Sequence, residues 1–210
     1  AVGAGCLDAC TTGVNNTSVG YGALTTEDTG SYNTAVGAYA LELCNNATGR
    51  NVAVGNEALE QCTLGYYNVA VGSNALEAVT SGTVNTGMGI NAGLYITTGT
   101  NNTCIGGFAN DAANTSAVTA IGYRALTFNT GNSNTAVGAD CLLDNTSGSN
   151  NVGMGQQALA NNTTGDYNTG VGNFAGDTLT TGSNNACIGY NAEVSASGAE
   201  HQNVFGNKTS

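Results

Sequence analysis

A chain of 210 residues with only 8% charged residues, 32 glycines, no proline and no tryptophan is not composed like an ordinary globular domain, in which about a quarter of residues are charged. Three Lys+Arg against fourteen Asp+Glu give a net charge of −11, which makes nucleic acid a poor partner because phosphate binding needs clustered cations. No apolar run approaches the ~20 residues of a spanning helix, so no membrane insertion is expected, and the scarcity of charge and proline sets the chain apart from disordered ones.

Read from the first residue onward, the chain restates one unit. A glycine recurs at Gly3, Gly20, Gly37, Gly55, Gly72, Gly89, Gly106, Gly122, Gly138, Gly155, Gly172, Gly189 and Gly206, at intervals of 17 residues except for one of 18 and two of 16. An apolar residue precedes each of them, from Val2 and Val19 to Ile188 and Phe205. One place earlier runs a stripe of small residues: Ala35, Ala53, Ala70, Gly87, Cys104, Ala120, Ala136, Gly153, Gly170 and Cys187. Asn-Thr-Ala-Val-Gly alternates with period two and reads as a strand. After the glycine, Ala or Cys and then usually Leu (Leu24, Leu41, Leu59, Leu76, Leu126, Leu142, Leu159) predict a second strand, followed by a Thr/Asn loop and a further Gly. Helical repeats need 33 residues or more and propeller blades about 40, so 17 residues is one turn of a solenoid. The prediction is an all-β fold: a β-solenoid (β-roll) of about twelve to thirteen 17-residue coils, two short strands per coil, with 1–210 a single continuous repeat domain. At ~4.8 Å per rung such a stack is about 60 Å long. The small-residue stripe is expected to let a neighbouring sheet approach closely.

Four residues before the glycine stands Asn16, Asn33, Asn51, Asn68, Asn85, Asn102, Asn134, Asn151, Asn168 or Asn185, with Val118 and Gln202 breaking the column. Stacked amides suit a hydrogen-bonded ladder; a repetitive glycan-binding face is the functional counterpart. Asp8, Glu42, Glu60, Glu77, Asp111 and Asp177 share the phase five after the glycine. Of these Glu42, Glu60 and Glu77 occupy successive coils, where they read as a solvated column or as a shared site for a hard cation such as Ca2+. Cys44 and Cys62 also share a phase on neighbouring coils, and ~4.8 Å per rung lies within the Cα range of a disulfide. Seven cysteines in such a composition predict an oxidising, extracellular setting. Tyr21, Tyr123 and Tyr190 share one phase and Tyr32, Tyr67 and Tyr167 another, as loop cover or as sugar-stacking rings. Asn-x-Ser/Thr acceptors occur at Asn15, Asn16, Asn46, Asn101, Asn114, Asn145, Asn161, Asn162 and Asn207. Catalysis needs convergent, differing groups, whereas this chain offers columns of like ones and a single histidine, His201; no catalytic residue and no cofactor other than that cation is expected.

At Asn-Thr-Ala-Val-Gly, as in residues 33–37 and 134–138, the chain resembles the head repeats of trimeric autotransporter adhesins, which form a β-roll, and similar Gly/Asn/Thr-rich repeats of phage or large-virus fibre proteins. The adhesin coil is shorter, about fourteen residues, so the loop here is an expansion. The resemblance implies display outside the cell, at a cell or virion surface, in a fibre that binds a host or matrix surface. The expected function is therefore a structural subunit of an extracellular or virion-surface fibre that assembles with itself, through the solenoid ends as a head-to-tail filament or through the small-residue face as a trimer. The alternative is an adhesin or receptor-binding head for a host-surface glycan or protein, for which the shortened coils at 107–122 are the one concentration of exceptions.

Overall fold

The computed structural model describes residues 1–26, 29–112 and 114–206. The fold is all-β, with twelve three-residue strands and no helix among the described residues. It divides into two compact units, Ala1–Cys104 and Ile105–Ser210. In the first, β1 (Thr17–Val19), β2 (Thr34–Val36), β3 (Val52–Val54), β4 (Val69–Val71) and β5 (Thr86–Met88) pair parallel in chain order, preceded by an isolated bridge between Val2 and Val19. β6 (Thr103–Ile105) falls where the chain is divided. In the second, β7 (Thr119–Ile121), β8 (Thr135–Val137), β9 (Val152–Met154), β10 (Thr169–Val171), β11 (Ala186–Ile188) and β12 (Asn203–Phe205) pair in the same way. Like phase meets like: Ala35 faces Ala53 and Val36 faces Val54 across one rung. This is the expected β-solenoid.

Each coil carries one strand, not two. The Ala-Leu run does bond from coil to coil, with Leu59 N–H donating to the Ala75 carbonyl at 3.1 Å and Leu142 N–H to the Ala158 carbonyl at 3.0 Å. Its backbone is not extended, however: the leucine sits at φ 50–57° in Leu24, Leu41, Leu59, Leu76, Leu126, Leu142 and Leu159, and the residue two places earlier is also left-handed, as in Tyr39, Glu57 and Asn74. A left-handed L-residue costs roughly 1–2 kcal/mol, and burying a leucine side chain gives about 1.5–3 kcal/mol in return. These leucines are fully buried. Where the phase is Gly93 or Gly176, a Cβ would stand 2.7 Å from the δ-methyl of Leu76 or Leu159, so the preceding coil's leucine already fills the space.

The small-residue stripe points the opposite way from the expectation. In β1 to β11 the middle residue of each strand is buried and its neighbours are not. The residues are small because the core is thin. A Cβ on Gly87 would lie 2.7 Å from Leu76 Cγ, and one on Gly170 would lie 2.8 Å from Leu159 Cγ. The stripe is interior lining and cannot be an interface. The strand glycines answer a second constraint: Gly37 and Gly55 have φ 141°, and a Cβ on either would meet the next coil's glycine carbonyl oxygen at 2.2–2.4 Å.

Candidate functional site

The asparagine column is buried and serves two neighbours at once. Backbone N–H groups of Asn51, Asn68, Asn85 and Asn102 each donate to the side-chain Oδ1 of the preceding coil's asparagine at 3.0–3.1 Å. The same side chains donate through Nδ2 to a loop glycine carbonyl: Asn51 to Gly65, Asn68 to Gly82 and Asn85 to Gly99, each at 2.9 Å. Asn134, Asn151 and Asn168 repeat the pattern with Gly148, Gly165 and Gly182 at 2.8 Å, and Asn16 does so with Gly30. One acceptor and one donor on a short stem are required, which is the asparagine inventory. Asn33, Asn51, Asn68, Asn85, Asn134, Asn151 and Asn168 are wholly inaccessible, and Asn102 and Asn185 nearly so, which removes them as a glycan-binding face. The ladder is structural.

A second interior column, seven after the strand glycine, contains the paired cysteines. Cys44 and Cys62 are both buried, and the structure holds them as thiols, not as the expected bridge. In-register parallel neighbours send their Cα–Cβ bonds side by side, whereas a disulfide needs Cβ atoms converged to about 3.8 Å. Cys62 instead donates to the Gly65 carbonyl at 3.4 Å, as Cys10 does to Gly13. In the second unit the phase is Asn129, Asn145 and Asn162, which donate to Gly131, Gly148 and Gly165 at 2.8–3.0 Å. This second amide column was not apparent from sequence because the thiols and amides look unrelated until the loop carbonyl shows their common task. Burial also pushes the thiols of Cys141 and Cys187 up, to about 12 and about 11, the latter aided by Glu193.

Among the described residues no group of three His, Cys, Asp or Glu side chains is placed to hold an ion, Glu42, Glu60 and Glu77 included. Their charge is relieved differently. Asn74 donates to Glu57 at 2.9 Å and to Glu77 at 2.6 Å. Glu60 is held above the ordinary carboxyl range by burial first, then by the charges of Glu57, Glu77 and Glu42, and by a side-chain hydrogen bond with Glu42. Glu57 and Asn74 share the phase two after the glycine, a column that period-two reading passes over.

On the outside lie three features. The last residue of each strand projects outward: Val54, Met88, Val137, Met154 and Ile188 are exposed. Arg50 is stacked between rings of the flanking coils, its Cζ 5.3 Å from the Tyr32 centroid and 5.7 Å from that of Tyr67. In the second unit, where the coils shorten to 16 residues, Phe108, Tyr123, Arg124 and Thr127 line an open recess of about 270 Å3. Phe108 and Tyr123 meet edge to face at 6.1 Å and 89°. Arg124 lies 3.6 Å from Asp140, and Thr127 donates to the Phe108 and Arg124 carbonyls at 3.0 Å. Of the glycosylation acceptors, Asn15, Asn101, Asn114 and Asn161 are exposed, while Asn46, Asn145 and Asn162 are buried; Asn207 lies outside the described residues. No protein-family model, curated protein or solved structure matches the chain.

Proposed function

We propose that this chain is a structural subunit of an extracellular or virion-surface fibre, in which copies meet side by side through the outward face of the strands. One observation carries the reading. The twelve strands contain no Asp, Glu, Lys or Arg, although the chain has a net charge of −11. All fourteen acidic residues lie outside them. Two identical acidic chains repel wherever their carboxylates face each other, so the uncharged strand face is where a second copy approaches at least cost. The strands present Thr or Val at the first position in ten cases and Val, Ile, Met or Phe at the last in all twelve. Because each coil adds a similar increment, the contact grows along each unit. The buried small-residue stripe has no part in it. Display outside the cell is supported by the resemblance to adhesin head repeats and by the composition.

Sedimentation velocity over a concentration series tests this. The native chain is expected to self-associate, and the double variant Val54→Asp, Val137→Asp to do so at least tenfold more weakly with unchanged circular dichroism. A native chain that sediments as a monomer at its highest attainable concentration would overturn the proposal. The second reading, a head that binds a host-surface glycan, is favoured by the recess at Phe108 and Tyr123, which lies where two successive coils shorten to 16 residues.

A further inference from the structure

We infer that the recess lined by Phe108, Tyr123, Arg124 and Thr127 binds a neutral carbohydrate the size of one sugar ring. The inference deepens the glycan-binding reading and does not depend on side-by-side assembly. A volume of about 270 Å3 is just below the range of sites for drug-sized ligands, so it suits one ring rather than an extended chain. Half of its lining is aromatic: Tyr123 is half exposed beside Phe108, and such rings offer a flat apolar face to the C–H side of a pyranose. The other half is polar. The Arg124 guanidinium is 3.6 Å from Asp140 Oδ1, beyond hydrogen-bond distance, which leaves its N–H groups directed by charge but available as donors. Asp140 Oδ1 is itself buried and takes no hydrogen bond, so it acts on Arg124 through charge alone. The Thr127 hydroxyl spends its proton on backbone carbonyls and keeps acceptor capacity.

This combination selects against other ligand classes. An anion gains little, because Asp140 already neutralises Arg124 and the whole chain is strongly acidic. An apolar ligand would strip water from a guanidinium and give nothing back. A neutral polyol satisfies both halves, with its C–H face on the rings and its hydroxyls on the arginine and threonine. The molecule contains its own control. Phe174 and Tyr190 repeat the aromatic pair at 6.2 Å and 90°, but Asn191 and Val194 stand at the phases of Arg124 and Thr127.

Saturation-transfer NMR with methyl glucoside, methyl mannoside, methyl galactoside and N-acetylglucosamine, with N-acetylneuraminic acid as the anionic arm, tests the site. At least one neutral sugar is expected to bind, to weaken tenfold or more in Tyr123→Ala and in Arg124→Gln, and to be retained in Tyr123→Phe and Tyr190→Ala. Binding of the anionic sugar alone, binding of none, or equal loss in Tyr190→Ala would overturn the site. Native-level adhesion to cells by Arg124→Gln would keep the binding-head reading and discard this recess.

Discussion

Seven residues after each strand glycine, the two units diverge. The first carries Cys44, Cys62, Val79 and Ile96; the second carries Asn129, Asn145 and Asn162 before Leu179. All of these are buried. The column four before the glycine hardly varies, and the hydrogen bonds explain the contrast. Each loop glycine carbonyl requires one donor. The Gly65 carbonyl accepts from Asn51, Cys62 and Asn46, and the Gly148 carbonyl from both Asn134 and Asn145, whereas Gly82 takes its amide from Asn68 opposite an apolar Val79. The asparagine before the strand is the obligatory donor, and the residue after it is a second one. A backup position tolerates a thiol, an amide or a methyl group. Where the amide column ends at Leu179, the last acceptor, Asn162 Oδ1, is left without a donor.

The comparison is broken most severely at the obligatory column. Asn68→Leu leaves the Asn85 N–H and the Gly82 carbonyl buried without their partners. At about 1–3 kcal/mol for each unsatisfied group, the expected loss is about 2–6 kcal/mol in denaturant unfolding. A loss under ~1 kcal/mol would contradict the assignment. Asn145→Val, at the backup column, removes the bonds to Asn129 and Gly148 and the one accepted from Asn162, but each partner keeps another bond (Asn129 Oδ1 from Gly131 and Asn134, Gly148 from Asn134, Asn162 to Gly165), so about 1–2 kcal/mol is expected. Cys62→Val copies the residue already present at Val79 and should cost under ~1 kcal/mol; equal losses at Asn68, Asn145 and Cys62 would erase the distinction.

The acidic flank of the first unit gives a pH signature. The folded state holds the Glu60 proton more tightly than the unfolded chain does, so its contribution is fully present below the ordinary value of 4.5 and is lost as pH rises above it. Melting temperature should therefore rise when the protein is brought from pH 7 towards 4.5, and Glu60→Gln should flatten that rise. A profile unchanged in the variant would place the effect elsewhere. A small effect of the opposite sign is expected at Val84, an exposed β-branched residue held at φ 59° in a column that elsewhere includes Asn15, Asn101, Asn150 and Asn184. Val84→Asn should stabilise by about 0.5–1 kcal/mol, because asparagine accepts the left-handed region.

The coil length, the strand phase, the invariant glycine and the asparagine ladder were legible in the sequence because each repeats at fixed spacing. The orientation of the strand was not. Alternation marks two faces of Thr-Ala-Val, yet small Ala and exposed Val invert the usual rule that the bulkier residue goes inside, and only the leucine opposite Gly87 shows why. The second strand was misread because Ala-Leu resembles a strand in residue type while its leucine is left-handed. The bridge between Cys44 and Cys62 was inferred from rung spacing, which sets the Cα distance but not the bond directions. The recess was foreshadowed only by the shortened coils at 107–122; its aromatic and basic members come from different phases of neighbouring coils, and no single column announces them.

The central functional claim concerns the outward strand column, and the chain carries its own reporters there. Its only two methionines, Met88 and Met154, are the last residues of β5 and β9, one in each unit, and both are exposed. Peroxide oxidation of each, followed by mass spectrometry across a protein concentration series, reads the face directly. If copies meet through the strands, both methionines oxidise rapidly when dilute and become protected at the concentration where sedimentation shows association. Oxidation at the dilute rate in the associated protein would contradict the account.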